Sequence, residues 1–370
     1  MRRLIVVEAR GGPAFVERLR RAWDDGDAVF PLDPRLPPEA RRAVLATARP
    51  QEPISDGDAL VVATSGTTGE PKAAVLTHDA VSASARATSV RLGVDAASDR
   101  WLACLPLAHV GGLSVVTRSL ATGTPLTIHE GFDAAAVEAA ARAGATLVSL
   151  VPTALRRVHP TLFRVVVLGG SAMPLDLPAN AVATYGMTET GSGVVYDGAP
   201  LDGVEVAIVD GEVRLRCPML LRAYRDGTDP RDADGWFATG DAGAWDEVTG
   251  RLRVHGRVGD VIVTGGEKVW PAAVERALGA RPDVAEIAVV GVPDPEWGAR
   301  VVAVVVPRDP ARPPALAAVR DAVKAELPAY AAPRELMTVA ALPRTGSGKV
   351  ARAELAASLA AVGGDAAPSG

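Results

Sequence analysis

Thr64-Ser65-Gly66-Thr67-Thr68-Gly69-Glu70-Pro71-Lys72 follows directly on the short apolar run 60–63. Nine residues hold four hydroxyls, two glycines and a lysine. Glycine lets backbone N–H groups approach an anion closely, hydroxyls donate to it, and lysine adds a point charge. The string therefore has the chemistry of a polyphosphate cradle. It does not match the GxxxxGK[ST] loop, so it is not a P-loop of that kind. The bland alternative is an ordinary turn of glycine and threonine.

Outward from this loop, short apolar runs alternate with helix-like stretches. Residues 4–7, 60–63, 102–105, 125–128, 147–150 and 165–168 read as strands. Residues 14–22, 78–88, 112–120 and 134–143 read as helices. Such alternation predicts a large α/β domain with layered, mostly parallel sheet. Near residue 200 the texture changes. The runs 204–209, 212–216 and 252–254, parted by Gly and Asp turns, predict a small β region. After Gly256 a helix opening on a proline (271–278), strands 285–292 and 300–306, a helix 315–327 and a strand 335–340 predict a smaller α+β domain. The small, polar tail 359–370 is expected to be disordered.

The 370 residues suffice for two or three domains. With 48% hydrophobic and 22% charged residues the chain is globular. Aromatics are only 4%, so Ala, Val and Leu must fill the core. The net charge of −5 gives no reason to expect a nucleic-acid partner. Cys104 and Cys217 lack CxxC spacing, which excludes a disulfide scaffold or zinc ribbon and fits a reducing compartment. The five histidines are scattered and suggest no metal cage. No apolar run is long enough to span a membrane, and residues 4–7 are too short for a signal sequence. A cytoplasmic protein is expected.

The string 64–72 resembles the signature loop of the adenylate-forming superfamily, which holds acyl- and aryl-CoA synthetases, peptide-synthetase adenylation domains and luciferases. Further motifs follow in order to about residue 352. Tyr185-Gly186-Met187-Thr188-Glu189-Thr190 is similar to the second family motif. The resemblance implies an aromatic on adenine, Thr188 on phosphate and Glu189 helping to hold Mg²⁺, a metal that favours hard oxygen ligands. Gly169-Gly170-Ser171 resembles part of the adenine pocket. Thr239-Gly240-Asp241 resembles the element whose aspartate accepts from both ribose hydroxyls, and Arg257 is implied to touch ribose or phosphate. The nucleotide set so implied is Thr64, Ser65, Gly66, Thr67, Thr68, Gly69, Lys72, Gly169, Gly170, Ser171, Tyr185, Gly186, Met187, Thr188, Asp241 and Arg257. Gly256-Arg257-Val258-Gly259-Asp260 resembles the family hinge, with glycine at the pivot where relatives often carry Asp, Lys or Ser. The implied division is 1–257, a hinge at 258–260 and a mobile domain at 261–358. Gly265 and Gly266 sit in a stretch similar to the loop that borders the pantetheine tunnel. Pro343-Arg344-Thr345-Gly346-Ser347-Gly348-Lys349 resembles the last motif, whose lysine stabilises the charge developing at phosphorus.

Leu105-Pro106-Leu107-Ala108-His109-Val110-Gly111-Gly112 resembles the family's PLFHxxG segment, with Ala108 in place of the aromatic. His109 is implied to line the acid site without acting as a base. Arg118 lies in the apolar stretch that follows. It either snorkels to solvent or faces the acid pocket and pairs with a second carboxylate, which suits its bidentate fork. Ser192 joins His109 and Arg118 as a candidate contact for the acid. The stretch around Arg118, and Gly265-Gly266-Glu267-Lys268-Val269-Trp270-Pro271, resemble o-succinylbenzoate–CoA ligases of menaquinone biosynthesis, as does the shortened region before the 64–72 loop. The implied reaction is ATP-dependent: Mg-ATP and the acid give an acyl-adenylate, and coenzyme A then takes the acyl group. Other aryl- or acyl-CoA synthetases, and a stand-alone adenylating enzyme that loads a carrier protein, share the nucleotide motifs and stay open. A non-catalytic member of the fold would be expected to lose Lys349, Glu189 or the phosphate loop. Relatives are often homodimers, so a homodimer is also open.

Overall fold

The computed structural model describes residues 2–65, 71–170, 173, 176–279, 281–344 and 350–364. The chain forms two compact units. One comprises Met1–Val209, Arg214–Thr239 and Trp245–Leu252; the other comprises Asp210–Val213, Gly240–Ala244 and Arg253–Gly370.

The first unit contains two sheets. In one, the strands Leu4–Glu8, Ala28–Leu32, Asp58–Ser65, Pro71–Thr77 and Ala223–Tyr224 lie side by side. The first three run parallel, and the remaining pairings are antiparallel. The 64–72 string thus lies on a hairpin, with Thr64 paired to Lys72 and Ser65 to Pro71. Residues far along the chain close this sheet. Ala223 and Tyr224 pair with Val75 and Ala74, Arg222 grips the buried carboxylate of Asp58 at 2.8 and 3.0 Å, and Arg225 donates to the carbonyls of Ala48, Arg49, Glu52 and Pro53. Ala48 ends the helix Pro38–Ala48, so one cation meets the partly negative end of a helix.

The second sheet runs Ala199–Pro200, Ser192–Tyr196, Ala181–Met187, Val165–Leu168, Leu147–Leu150, Trp101–Ala103, Leu126–Ile128. It is parallel from Leu126–Ile128 to Ala181–Met187 and antiparallel beyond. The expected mostly parallel arrangement therefore holds for its centre. Strands 28–32, 71–77 and 181–187 had no separate sequence signal: prolines interrupt the first two or open them, and the third carries no alternation. The helices between strands start and stop where local chemistry dictates. Thr77 accepts from Ala80 N–H at 3.1 Å and Asp133 from Ala136 N–H at 2.8 Å, while Gly93 and Gly123 end their helices in the left-handed conformation. Valine, leucine and alanine fill the core around Trp101, as the low aromatic content requires.

A small sheet is ordered Glu205–Val209, Glu212–Arg216, Phe237–Trp245, Leu252–Arg257. The second unit is built on the strands Glu267–Val269, Ile262–Thr264, Gly298–Pro307 and Val284–Asp294, with Glu335–Thr338 parallel to Gly298–Pro307. Its long strands are covered on both faces. Val289 and Val301 meet the helices Pro271–Gly279 and Leu316–Glu326, whereas Ala288, Val290, Val302 and Val304 meet Leu355 and Leu359. The last helix, Arg352–Gly364, corrects one expectation: it takes in residues 359–364 of the tail expected to be disordered, because Leu355 and Leu359 bury one face against this sheet.

Candidate active site

In the first unit the hairpin, the turn Thr188–Thr190 and the edge strand Ala223–Tyr224 bring three polar groups together. The Tyr224 hydroxyl donates to Glu189 Oε1 at 2.9 Å, and Lys72 Nζ lies 4.8 Å from the centroid of the Tyr224 ring. Leu221 N–H also donates to the Glu189 carbonyl at 2.7 Å, which ties the turn to the chain entering the edge strand. A lysine and a carboxylate around one aromatic hydroxyl suit a metal-bound polyphosphate. Among the described residues no three His, Cys, Asp or Glu side chains gather into a cage. A single carboxylate fits Mg²⁺ that arrives with phosphate oxygens as its other ligands. Gly66, Thr67, Thr68 and Gly69 lie outside the described residues, as do Ser171 and Lys349.

Tyr185, Gly186 and Met187 end a strand at this turn. A Cβ on Gly186 would sit 2.1 Å from Ser192 O, so only glycine allows the two strands this close. Thr190 Oγ1 accepts from Met187 N–H at 3.0 Å and donates to Ser192 O at 2.6 Å, which fixes Thr188 and Glu189 between its partners. Gly169 and Gly170 follow the strand Val165–Leu168, and Thr184 donates to Leu168 O at 3.0 Å beneath them.

Arg118 lies on the helix Val110–Thr122 and is 1% exposed. The snorkelling alternative is thereby excluded. Its Nη2 donates to Ser192 Oγ and lies 3.5 Å from the Tyr196 hydroxyl, its Nη1 is 3.5 Å from Ser149 Oγ, and its guanidinium stands 5.4 Å from the Trp101 ring centroid. Tyr196 in turn exchanges a 3.0 Å hydrogen bond with Thr88 Oγ1. Every one of these partners is neutral, and Nε has none. Burying a guanidinium without an anion is costly by several kcal/mol, on the order of the effective ion-desolvation penalty. The same helix borders a small apolar cavity lined by Leu60, Leu76, Val81, Leu113, Thr117 and Gly191.

His109 stands exposed at the start of this helix. The turn before it is tight, since a Cβ on Gly112 would lie 2.4 Å from Leu105 O. Asp33 from the N-terminal region lies within electrostatic reach. Hydrogen bonds from Arg35 hold its carboxyl below the usual carboxylate range, and the charge of His109 adds to that. The thiols play no part here: burial pushes Cys104 up to about 12 and Cys217 up to about 11.

In the second unit Arg257 Nε lies 3.2 Å from Asp241 Oδ1. Gly240 N–H donates to Glu212 at 2.8 Å, with Gly240 at φ +70°, so the aspartate is held in a turn that favours glycine. Gly259 belongs to the turn Val258–Asp260. Gly265 and Gly266 join the strands Ile262–Thr264 and Glu267–Val269, and Gly265 N–H donates to Trp297 O at 2.8 Å.

Tyr224, Tyr196, Thr88, Ser149 and Trp101 were missed from sequence. Each is remote along the chain from the residue it supports. The one available signal was rarity, since the chain has only four tyrosines.

The AMP-binding enzyme family matches residues 23–218, and the AMP-binding enzyme C-terminal domain matches residues 273–349. A probable 2-succinylbenzoate–CoA ligase of Mycobacterium tuberculosis is 41% identical over 343 residues, which span 86% of this chain and 89% of that protein. The structure of o-succinylbenzoate CoA synthetase (MenE) from Bacillus subtilis in complex with the acyl-adenylate intermediate OSB-AMP superposes with a TM-score of 0.84 at 26% identity, covering 96% of this chain and 88% of that one. A structure of the same Bacillus enzyme in complex with ATP and magnesium ion superposes with a TM-score of 0.74 at 28% identity, covering 92% and 81%.

Proposed function

The chain belongs to the AMP-binding enzymes, and from that premise we propose that it joins 2-succinylbenzoate to coenzyme A in an ATP-dependent, AMP-forming reaction of menaquinone biosynthesis. The observation that carries the choice of acid is the Arg118 guanidinium, buried among neutral partners. A substrate with one carboxylate to activate and a second to bind would complete it; benzoate or a fatty acid would not.

In the first step a carboxylate oxygen of the succinyl arm attacks the α-phosphorus of ATP, an O–P bond forms, and the bond to pyrophosphate breaks. In the second, the sulfur of coenzyme A attacks the acyl carbonyl, AMP leaves, and the thiol proton passes to solvent. No nucleophile from the chain is required. Thr64, Ser65, Gly66, Thr67, Thr68, Gly69 and Lys72 would cradle the β- and γ-phosphates; Thr188 would contact the α-phosphate. Glu189, oriented by Tyr224, would hold Mg²⁺, whose charge offsets that of the triphosphate. Gly169, Gly170, Ser171, Tyr185, Gly186 and Met187 would take the adenine, and Asp241 with Arg257 the ribose. His109 and Ser192 would border the acid. We further propose that residues 258–260 form the hinge, with the second unit offering Lys349 in the first step and Gly265–Gly266 in the second. A cytoplasmic homodimer completes the reading, tested by fractionation and light scattering; among the described residues no helix is long and apolar enough to cross a membrane.

The test is a product assay by mass spectrometry with Mg-ATP, coenzyme A and a panel of 2-succinylbenzoate, benzoate, a medium-chain fatty acid and an aliphatic dicarboxylate. Selective formation of the 2-succinylbenzoyl thioester, abolished in Lys349→Ala, is expected. Accumulation of acyl-adenylate without thioester would point to a carrier-protein acceptor, and turnover of benzoate or fatty acid alone would overturn the acid.

A further inference from the structure

Lys72 and Glu189 bring opposite charges to one place in the first unit, and Tyr224 touches both. The register of the edge strand brings this about. Tyr224 pairs with Ala74, and Lys72 lies two residues from Ala74 on the strand Pro71–Thr77. Alternation along a strand puts Lys72 and Ala74 on one face, so Lys72 is a diagonal neighbour of Tyr224, within reach of a long side chain. Its ammonium lies 4.8 Å from the ring centroid, and the hydroxyl of the same ring donates to Glu189 Oε1 at 2.9 Å. Tyr224 is 8% exposed, Glu189 is half-buried and Lys72 is exposed. Among the described residues Lys72 forms no ion pair, and Glu189 Oε2 accepts no hydrogen bond. Asp226 lies within electrostatic reach of Lys72, yet its own turn engages it. Asp226 Oδ1 accepts Thr228 N–H at 2.8 Å, and Tyr224 N–H donates to Thr228 O at 2.8 Å.

We propose that Tyr224 is a positioning residue that keeps Lys72 and Glu189 from neutralising each other before the nucleotide arrives. The inference rests on reading these two side chains as contacts for the polyphosphate and its metal. An ammonium and a carboxylate gathered about one ring would, without that ring, be free to meet as an ion pair. Such a pair would withhold the cation from the phosphate and the oxygens from the metal. The ring prevents it in two ways. Its face gives the ammonium a neutral partner, which phosphate oxygens displace more easily than they would a carboxylate. Its hydroxyl holds one oxygen of Glu189 and leaves Oε2 for a metal that arrives with the phosphate. Phenylalanine could do the first but not the second, and an aliphatic side chain could do neither.

The test measures ATP binding to the full-length protein by isothermal titration calorimetry, without acid or coenzyme A, once in EDTA and once in saturating Mg²⁺. Tyr224→Phe keeps the ring. Its affinity in EDTA should stay within about twofold of wild type, while the gain in affinity on adding Mg²⁺ should shrink by about tenfold, the scale for losing the partner of a metal-binding group. Tyr224→Leu should also weaken binding in EDTA by roughly fivefold, the scale of an exposed ion pair that now competes for Lys72. Glu189 should be the cause of that loss, so Glu189→Gln should strengthen binding in EDTA more in the Tyr224→Leu background than in wild type. Tyr224→Val, with a β-branched side chain suited to the edge strand, replaces Tyr224→Leu if denaturant titration shows the latter unfolded. A full magnesium gain in Tyr224→Phe, or an equal effect of Glu189→Gln in both backgrounds, overturns the role given to Tyr224 alone. Unchanged affinities in both Lys72→Ala and Glu189→Gln overturn the reading of these two side chains as phosphate and metal contacts, and the separation with it.

Discussion

Two arginines, one in each unit, are treated in opposite ways: Arg118 is buried, and Arg352 is about one-third exposed. Arg118 is sealed among serine, tyrosine and tryptophan and meets no carboxylate among the described residues, whereas Arg352 sits between Glu275 and Asp260. The second is an ion pair closed within the chain, although its Nε too has no partner among the described residues, and it reads as architecture. The first has only neutral partners among the described residues, and on the proposed function its counter-charge is the second carboxylate of the acid. The charge is the same; burial and the partner's origin separate a structural arginine from one that we read as binding.

The largest expected effect removes the incomplete pair. Arg118→Ala should lower kcat/KM for 2-succinylbenzoate by roughly 100-fold or more, the scale for losing one partner of a desolvated charge pair. Activity toward a monocarboxylic acid, however low, should not fall in parallel, and steady-state kinetics on both acids check it. A sharper experiment turns the first arginine into the second kind. Ser149→Asp places a carboxylate beside Arg118, and should raise KM for the acid by roughly tenfold while leaving ATP binding unchanged. If 2-succinylbenzoate still binds with its original KM, the neutral surroundings are not what leaves room for it.

On the Arg352 side, Glu275→Ala strands a cation together with the Val289 N–H that donates to Glu275. It should destabilise the protein by about 1–3 kcal/mol in denaturant titration, with partial exposure of Arg352 keeping the loss toward the lower end. Arg118→Ala should cost little stability by the same assay, because it removes a charge that the fold leaves unanswered. Smaller still, Tyr196→Phe removes one neutral support of Arg118 and should cost about 1 kcal/mol in binding the acid, visible in KM rather than kcat.

Acid separates finished pairs as well. Burial alone would raise the Asp99 carboxyl, but hydrogen bonds from Arg164, Asp95 N–H and Thr146 outweigh it and hold it below the usual range. A depressed carboxylate contributes stability above its unfolded value, about 3.9, and that stability is lost as pH falls through the lower folded value. The melting temperature should therefore fall on acidification below pH ~4, and Asp99→Asn should flatten that limb.

Much of this was legible in the sequence where chemistry is local. The 64–72 string, the run around Glu189 and the position of Arg118 each announce themselves within ten residues. Period-2 and apolar runs located most strands of the seven-stranded sheet and both long strands of the second unit. What stayed hidden was whatever depends on partners distant in sequence. Nothing near Tyr224 says that it will bridge Lys72 and Glu189, and nothing near Tyr196 ties it to Thr88. The direction of Arg118 could not be decided until Ser192 and Trp101 were placed around it. The helix 352–364 was masked by alanine-rich composition, which suits a tail as well as it suits a packed helix until Leu355 and Leu359 find the sheet.

The edge strand Ala223–Tyr224 has a consequence for how the protein is made. The hairpin that carries the 64–72 string spans residues 58–77, yet the strand that closes its open side, the arginine that caps Asp58 and the arginine that collects four carbonyls from residues 48–53 all lie at 222–225. On the ribosome this hairpin, complete at Thr77, must wait until Arg222, 145 residues later, is made. Until then its backbone edge is available to any passing strand. Nascent chains that stop short of Tyr224 should therefore be the chaperone-dependent and aggregation-prone ones, and those that extend past Arg225 should resist protease at the hairpin.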